Sequence, residues 1–239
     1  MMTVTAITPT CDRPIGFALL EGFMARQTRP PDQWIVADGG RFPVRCNLGQ
    51  QHSHVAGPSG AHNFAANLTR ATELATGDMI VVFEDDDWYA PRHLETLVAR
   101  IEAGALIAGD DDQRYYNVRY RLWRRFNNVG GCFCQTAFHR SILPSLTAAI
   151  AKHRQASTYG IDTTFWRSVP RTHWSIQRDQ TVLGIKGLPG QAGLGIGHRP
   201  DESRNLWTGD PKLARLREWI GDDVVIYEPF ADQRARGAA

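Results

Sequence analysis

The chain has 239 residues, 42% of them hydrophobic and 22% charged, and 27 basic against 25 acidic side chains leave a formal net charge of only +2. That composition suits a chain burying one sizeable core and excludes a partner selected by whole-chain charge, so any electrostatic signal has to come from local clusters. No stretch approaches the roughly 18 continuous apolar residues of a membrane helix, and the opening MMTVTAITPTCDRP lacks a basic start followed by an apolar core, so a cytoplasmic protein is the expectation.

In chain order, TVTAITP reads as a short β-branched strand and IGFALLEGFMARQ as a helix with Phe17, Leu20 and Met24 at helical spacing. QWIVADGG is a second strand ending in a glycine turn. GPSG is a loop, and the run that follows to Ala75 is a helix closed by Gly77. MIVVF is a third strand, apolar throughout as in a central parallel strand covered on both faces. Pro91 opens a further helix, RHLETLVARIEAG. This alternation predicts an α/β sheet with helices on both faces and a ligand crevice at the carboxyl ends of its strands, where Thr8, Asp38 and residues 84–87 all fall.

The second half has a different texture. RYYNVRYRLWRRF alternates, which predicts one strand with Tyr116, Val118, Tyr120 and Leu122 on one face and Arg119, Arg121, Trp123 and Arg125 on the other. GGCFCQTAFH reads as another strand, RSILPSLTAAIAKH contains helical segments, GIDTTFWRSV is helical with Phe165 and Trp166 inward, and TVLGIKGLPGQAGLGIGHRP is a strand running into a glycine-rich loop. The tail ADQRARGAA is expected to be disordered. Cysteines stand at 11, 46, 132 and 134. On a strand, Cys132 and Cys134 would not form a zinc knuckle or a redox dithiol, and buried free thiols are expected.

The densest chemical signal is MIVVFEDDDWYAPR, in which Glu84, Asp85, Asp86 and Asp87 follow directly on the apolar strand. Like charges this close raise one another's pKa, so the cluster calls for a compensating positive charge, of which a divalent metal is the simplest. A solvated loop or an acidic first helical turn is the competing reading, and it is strongest for Asp87.

The opening VTAITPTCDRPIGFALLEGFMARQTRPPDQWIVADGG, with Thr8, Pro9, Thr10, Asp12, Arg13, Gln27, Thr28, Asp38 and Gly39 in order, resembles the start of the family 2 glycosyltransferases of the GT-A fold. NLTRATELATGDMIVVFEDDDWYAP continues the likeness through Asn67, Gly77, Asp78, the acidic run and Pro91. The resemblance implies a single GT-A nucleotide-diphospho-sugar transferase domain over residues 1–230, with a mixed, mostly parallel central sheet flanked by helices. Residues 1–103 would be the nucleotide-binding half and 104–230 the acceptor and catalytic half. It implies transfer of a sugar from a nucleotide-diphosphate sugar, UDP-sugar first, with Mn²⁺ or Mg²⁺ on the diphosphate; hard carboxylate oxygens suit either ion. Carried over residue by residue, Glu84, Asp86, Asp87 and His198 would hold the metal, Glu84 standing where the family has its first Asp and Asp85 offering a competing register. Thr8, Pro9, Arg13, Asp38, Asn67 and Asp85 would bind the nucleotide, and Lys186 and Arg199 the diphosphate. Asp162 matches the family's general base for an inverting transfer.

Bland readings stand beside these: Asp12 and Asp162 as helix caps, His198 as a lone surface histidine, and the arginine face as a solvated strand. Arg119, Arg121 and Trp123 would otherwise hold phosphates and stack bases, and some bacteriophage enzymes of this general type act on modified DNA, so hydroxymethylated DNA is a candidate acceptor. A nucleotidyltransferase and a non-catalytic nucleic-acid-binding domain on the same fold are the alternatives. The first would carry a glycine-rich basic loop after the first strand, which TPTCDRP lacks.

Overall fold

The computed structural model describes residues 2–54, 61–127, 130–156, 160–190, 192–193, 197–198 and 206–230. Arg199, the GPSG loop and the tail from residue 231 lie outside these. The chain begins with β1 (Val4–Thr10), α1 (Pro14–Ala25), β2 (Gln33–Asp38), β3 (Gln50–Ser53), α2 (Ala61–Leu74), β4 (Met79–Val82), β5 (Trp88–Tyr89) and α3 (His93–Glu102). It continues with β6 (Ile107–Gly109), β7 (Asp112–Asn117), β8 (Leu122–Asn127), β9 (Ala137–His139), α4 (Leu143–Ala156) and α5 (Ile161–Ser168). The last elements are β10 (Trp174–Ile176), β11 (Val182–Lys186), β12 (Thr208–Gly209), α6 (Ala214–Ile220) and α7 (Val224–Tyr227).

Among the described residues, a seven-stranded sheet runs β10-β6-β9-β4-β1-β2-β3. Its pairs β4-β1, β1-β2, β2-β3 and β10-β6 are parallel, whereas β9 is antiparallel to both β4 and β6. The strand period of two sorts the apolar residues into two cores. Val4, Ala6, Trp34, Val36, Met79 and Val81 pack with Phe17, Leu20, Leu94 and Leu97 from α1 and α3. Ile7, Ile35, Ile80 and Val82 pack with Leu68, Leu146, Phe165 and Trp166 from α2, α4 and α5. The expected mixed, mostly parallel sheet with helices on both faces is therefore what forms.

A smaller sheet, β12-β8-β7-β11-β5, stands beside the first. Its β11 is parallel to β7 and antiparallel to β5, which follows the acidic turn, so Lys186 at the end of β11 is brought against Asp86 and Asp87.

Three local expectations need correction. Residues 114–125 are not one strand but a hairpin: β7 and β8 pair antiparallel, with Asn117 opposite Leu122. Residues 118–121 form the turn, and Arg121 has φ +52°, so Arg119 and Arg121 are not on a strand face. The alternation of RYYNVRYRLWRRF spans two strands in succession, and no Gly or Pro marks the reversal. Residues 133–135 are a 3₁₀ turn instead of a strand. The Sγ atoms of Cys132 and Cys134 consequently approach to 3.0 Å. None of the four cysteines is in a disulfide, but only Cys134 is fully buried, the other three being half-buried.

Candidate active site

The acidic turn is fixed from four directions. Apolar β4 delivers it to the carboxyl edge of the main sheet, and the Glu84 N–H donates to the Tyr89 hydroxyl at 2.7 Å. Thr10 at the end of β1 donates its hydroxyl to Asp85 Oδ2 at 2.6 Å, and Arg13 Nη1 donates to Asp85 Oδ1 at 2.7 Å. The first turn of α1 comes so close that a Cβ on Gly16 would stand 2.8 Å from the Asp85 carbonyl oxygen.

Three basic groups converge on Asp86, with Arg13 Nη1 at 3.2 Å, His198 Nε2 at 3.2 Å and Lys186 Nζ at 3.4 Å from its Oδ2. Burial opposes charge on Asp86, but Lys186, Arg13 and His198 outweigh it and hold the carboxyl well below the ordinary range. Asp87 Oδ1 accepts the Ile185 N–H at 2.9 Å and Lys186 Nζ at 3.1 Å. The same carboxyl also takes the Cys134 thiol as a hydrogen-bond partner. Burial raises the pKa of Asp87, and burial together with Asp87 raises that of Glu84. Burial lowers the pKa of Lys186, yet Asp86 and Asp87 reverse the balance and raise it, so it stays an ammonium. His198 is pushed down by burial.

The residues read from the sequence as metal ligands thus divide. Asp86 and His198 form one contact pair inside a cationic cage. Glu84 and Asp87 stand with Cys134, the ligand atoms of all three lying within 4.8 Å of one another. The hard carboxylate oxygens of Glu84 and Asp87 suit a divalent cation.

Among the proposed nucleotide contacts, Arg13 and Asp85 lie in this constellation. Thr8 is fully buried and accepts from Trp34 Nε1 at 3.0 Å, so it supports the crevice from below, as does buried Pro9. Asn67, also buried, donates to the Thr10 carbonyl at 2.8 Å and to Asn63 Oδ1 at 2.7 Å, tying α2 to the end of β1. Both oxygens of Asp38 are occupied by backbone N–H groups, Gly40 and Val44, each at 2.7 Å, and it pins the loop after β2. Asp162 sits in the first turn of α5, where it accepts the Thr163 N–H at 2.7 Å. The cap position itself is Gly160 at φ +94°, a left-handed conformation that suits glycine. Burial raises the Asp162 pKa, and Asp162 in turn raises those of Glu84 and Cys132, so its carboxyl stands in the field of the acidic turn.

The three residues proposed for the acceptor do not share a face. The Arg119 guanidinium lies 5.3 Å from the Tyr120 ring centroid, and Arg121 Nη1 donates to the Pro211 carbonyl at 2.6 Å. Trp123 packs edge-on against Trp219, with the Arg215 guanidinium 4.8 Å from its ring centroid. Sequence reasoning missed the Cys132 and Cys134 pair as neighbours of the acidic turn. Their Cys-x-Cys spacing was the available signal, and it was read in the wrong backbone conformation.

Residues 54–156 match the sequence model of the family described as Glycosyl transferase family 2. That stretch contains Asn67, the acidic run and both clustered cysteines. That match covers less than half of the chain, and the sheet order together with the solved structures it resembles shows the GT-A, nucleotide-diphospho-sugar transferase fold. The chain is similar to S. aureus TarS, with TM-score 0.54 and 10% identity over 77% of this chain and 37% of that one. It is also similar to S. aureus TarS 1-349 in complex with UDP-GlcNAc, with TM-score 0.51 and 12% identity over 77% of this chain and 58% of that one. Mannosyl-3-phosphoglycerate synthase from Rubrobacter xylanophilus superposes with TM-score 0.50 and 11% identity over 85% of this chain and 70% of that one. The chain therefore spans well under two thirds of the TarS chains it matches. No curated protein matches it. Among the described residues, no helix is long and apolar enough to cross a membrane.

Proposed function

We propose that this chain transfers a sugar from a nucleotide-diphosphate sugar to an acceptor hydroxyl with inversion, residues 1–230 acting as one GT-A unit. The observation that carries the reading is the convergence of Arg13, Lys186 and His198 on the acidic turn, with Asp162 in the field of that turn. The bound UDP-GlcNAc of one TarS structure supports a UDP-sugar as donor.

Asp162 takes the proton of the acceptor hydroxyl as that oxygen attacks the anomeric carbon and the bond to the diphosphate breaks. Its burial-raised pKa brings the carboxyl closer to the value a general base needs near neutrality. Arg13, only 18% exposed at its side chain, and Lys186 supply fixed positive charge where the leaving diphosphate gathers negative charge. Glu84 and Asp87 would hold a divalent cation, Mn²⁺ or Mg²⁺, which would neutralise the same leaving group. Asp86 is charge-balanced by Arg13, Lys186 and His198 and orients them. Arg199 completes the diphosphate contacts in this reading.

For the acceptor, the reading is the hydroxyl of hydroxymethylated DNA, with Arg119 and Arg121 of the β7–β8 turn as phosphate contacts. Replacing both by alanine should abolish transfer to hydroxymethylated DNA and leave donor binding intact; unchanged transfer to that DNA would remove this acceptor.

The decisive experiment is a thermal-shift panel of nucleotide diphosphates and UDP-sugars with and without Mn²⁺, followed by transfer of labelled sugar. A ligand at a hundredfold excess over its Kd stabilises the folded state by about 2.7 kcal/mol. Wild type should be stabilised in a metal-dependent way, Asp86→Ala should lose the shift, and Asp162→Asn should keep the shift while losing turnover. Stabilisation by nucleoside triphosphates alone, or by no nucleotide, would overturn the proposal.

A further inference from the structure

The small sheet turns one face to the acidic turn, and that face carries side chains the transfer scheme leaves unused. Along β7, Gln113, Tyr115 and Asn117 share a face by the strand period of two, and the residues directly opposite Tyr115 are Arg124 on β8 and Gly184 on β11. Lys186, two positions beyond Gly184, lies on the same face, with its Nζ 5.5 Å from the Tyr115 ring centroid. Lys186 also meets Asp86 and Asp87, which fixes the direction of the face. The opposite face is closed, because Trp123 packs on Trp219 of α6 and Tyr116 joins the core.

The Tyr115 ring crosses Gly184 so closely that a Cβ there would stand 2.5 Å from its Cδ1, so the ring rests where only glycine leaves room. Tyr115 is half-buried and stands in the fields of Cys132, Cys134, Asp87 and Glu84, while the field of Asp162 reaches Glu84 and Cys132. Tyr115 thus walls the space between Lys186 and Asp162. Beside it Gln113 is 3% exposed, and its Nε2 has no acceptor among the described residues. A buried amide donor left unpaired forfeits its hydration, and a ligand oxygen would satisfy it.

We propose that Tyr115, Gln113 and Arg124 form the acceptor subsite of the sugar transfer, built for a ring compound that carries a phosphate. The inference rests on the transferase reading and adds the residues that select the acceptor. The acceptor ring stacks on Tyr115, an oxygen at the ring edge accepts from Gln113 Nε2, and the phosphate meets the planar fork of half-buried Arg124. A nucleotide of hydroxymethylated DNA and a sugar phosphate share this chemistry. In the first case Arg119 and Arg121, in the turn joining β7 to β8, meet neighbouring phosphates of the strand.

The experiment is isothermal titration of the full chain, in the presence of UDP, with hydroxymethyl-dCMP, with glucose 6-phosphate, and with the dephosphorylated form of each. Wild type should bind one of the two phosphates and its dephosphorylated form more weakly. Tyr115→Ala should weaken that binding about tenfold or more, the scale of one aromatic stack. Arg124→Gln should weaken the phosphate about tenfold and leave the dephosphorylated form and the UDP thermal shift as they are. Its half-buried position keeps the test decisive if Tyr115→Ala fails to fold. Preference for the nucleotide supports the subsite together with the DNA acceptor, and preference for glucose 6-phosphate supports the subsite and removes DNA. Binding of neither phosphate, or phosphate binding that Arg124→Gln leaves unchanged, would overturn the proposal. A missing UDP shift with acceptor binding intact would leave the subsite standing and count against the donor reading alone.

Discussion

His93 shows how one residue type takes its chemistry from its surroundings. It is 1% exposed, faces the rings of Phe83 and Tyr89, and contacts the Thr181 hydroxyl through Nδ1 at 2.9 Å. Burial, with Arg100 adding to it, pushes its pKa down to about 3. A depressed pKa means that the unfolded chain binds the proton more readily. Folding stability is thus full above the ordinary histidine value of about 6.5 and falls as pH drops from there towards 3, by roughly 5 kcal/mol at most. Urea unfolding measured across that range should show the slope, and His93→Phe should flatten it; an unchanged slope would assign the acid sensitivity elsewhere. Lys186 follows the opposite logic. Lys186→Met should cost about 3–5 kcal/mol in denaturant unfolding, because it strands two buried carboxylates without their cation.

At the scale of elements, the site depends on how closely α1 approaches the acidic turn. Gly16→Ala places a methyl group 2.8 Å from the Asp85 carbonyl oxygen, a rigid backbone atom, so helix or turn has to move. The expected cost is about 1–3 kcal/mol in stability. Because Arg13 would shift with the helix, a weaker thermal shift with UDP should accompany it; full retention of both would show that the contact is slack. The same scale separates legible features from illegible ones. MIVVF and TVTAITP announce buried strands through local composition, and Pro14 and Pro91 mark helix starts, so the helix-covered sheet was readable. The β7–β8 hairpin was not, because Arg121 adopts a left-handed conformation that residue identity does not advertise.

Across the whole molecule, the last helices close the fold over its beginning. Asp223, just before α7, accepts from Arg26 at the end of α1 and from Trp88 Nε1 at 2.6 Å, while Leu216, Val224 and Tyr227 join the core of α1 and α3. Asp223→Ala should therefore lower stability by about 2–3 kcal/mol, with the denaturation midpoint moved and the m-value unchanged; a neutral result would make this clasp dispensable. By itself the sequence determined the covered, mostly parallel sheet and placed Thr8, Asp38 and residues 84–87 at strand ends, because hydrophobic runs and prolines act through neighbours in the chain. Only the tertiary structure decided which cation answers which carboxylate. Lys186 meets Asp87 across 99 positions of sequence, and Cys134 turns towards Glu84 and Asp87 because residues 133–135 coil instead of extending. Charge pairing and metal geometry act through space over a few ångströms, and that proximity is fixed only when the two sheets pack.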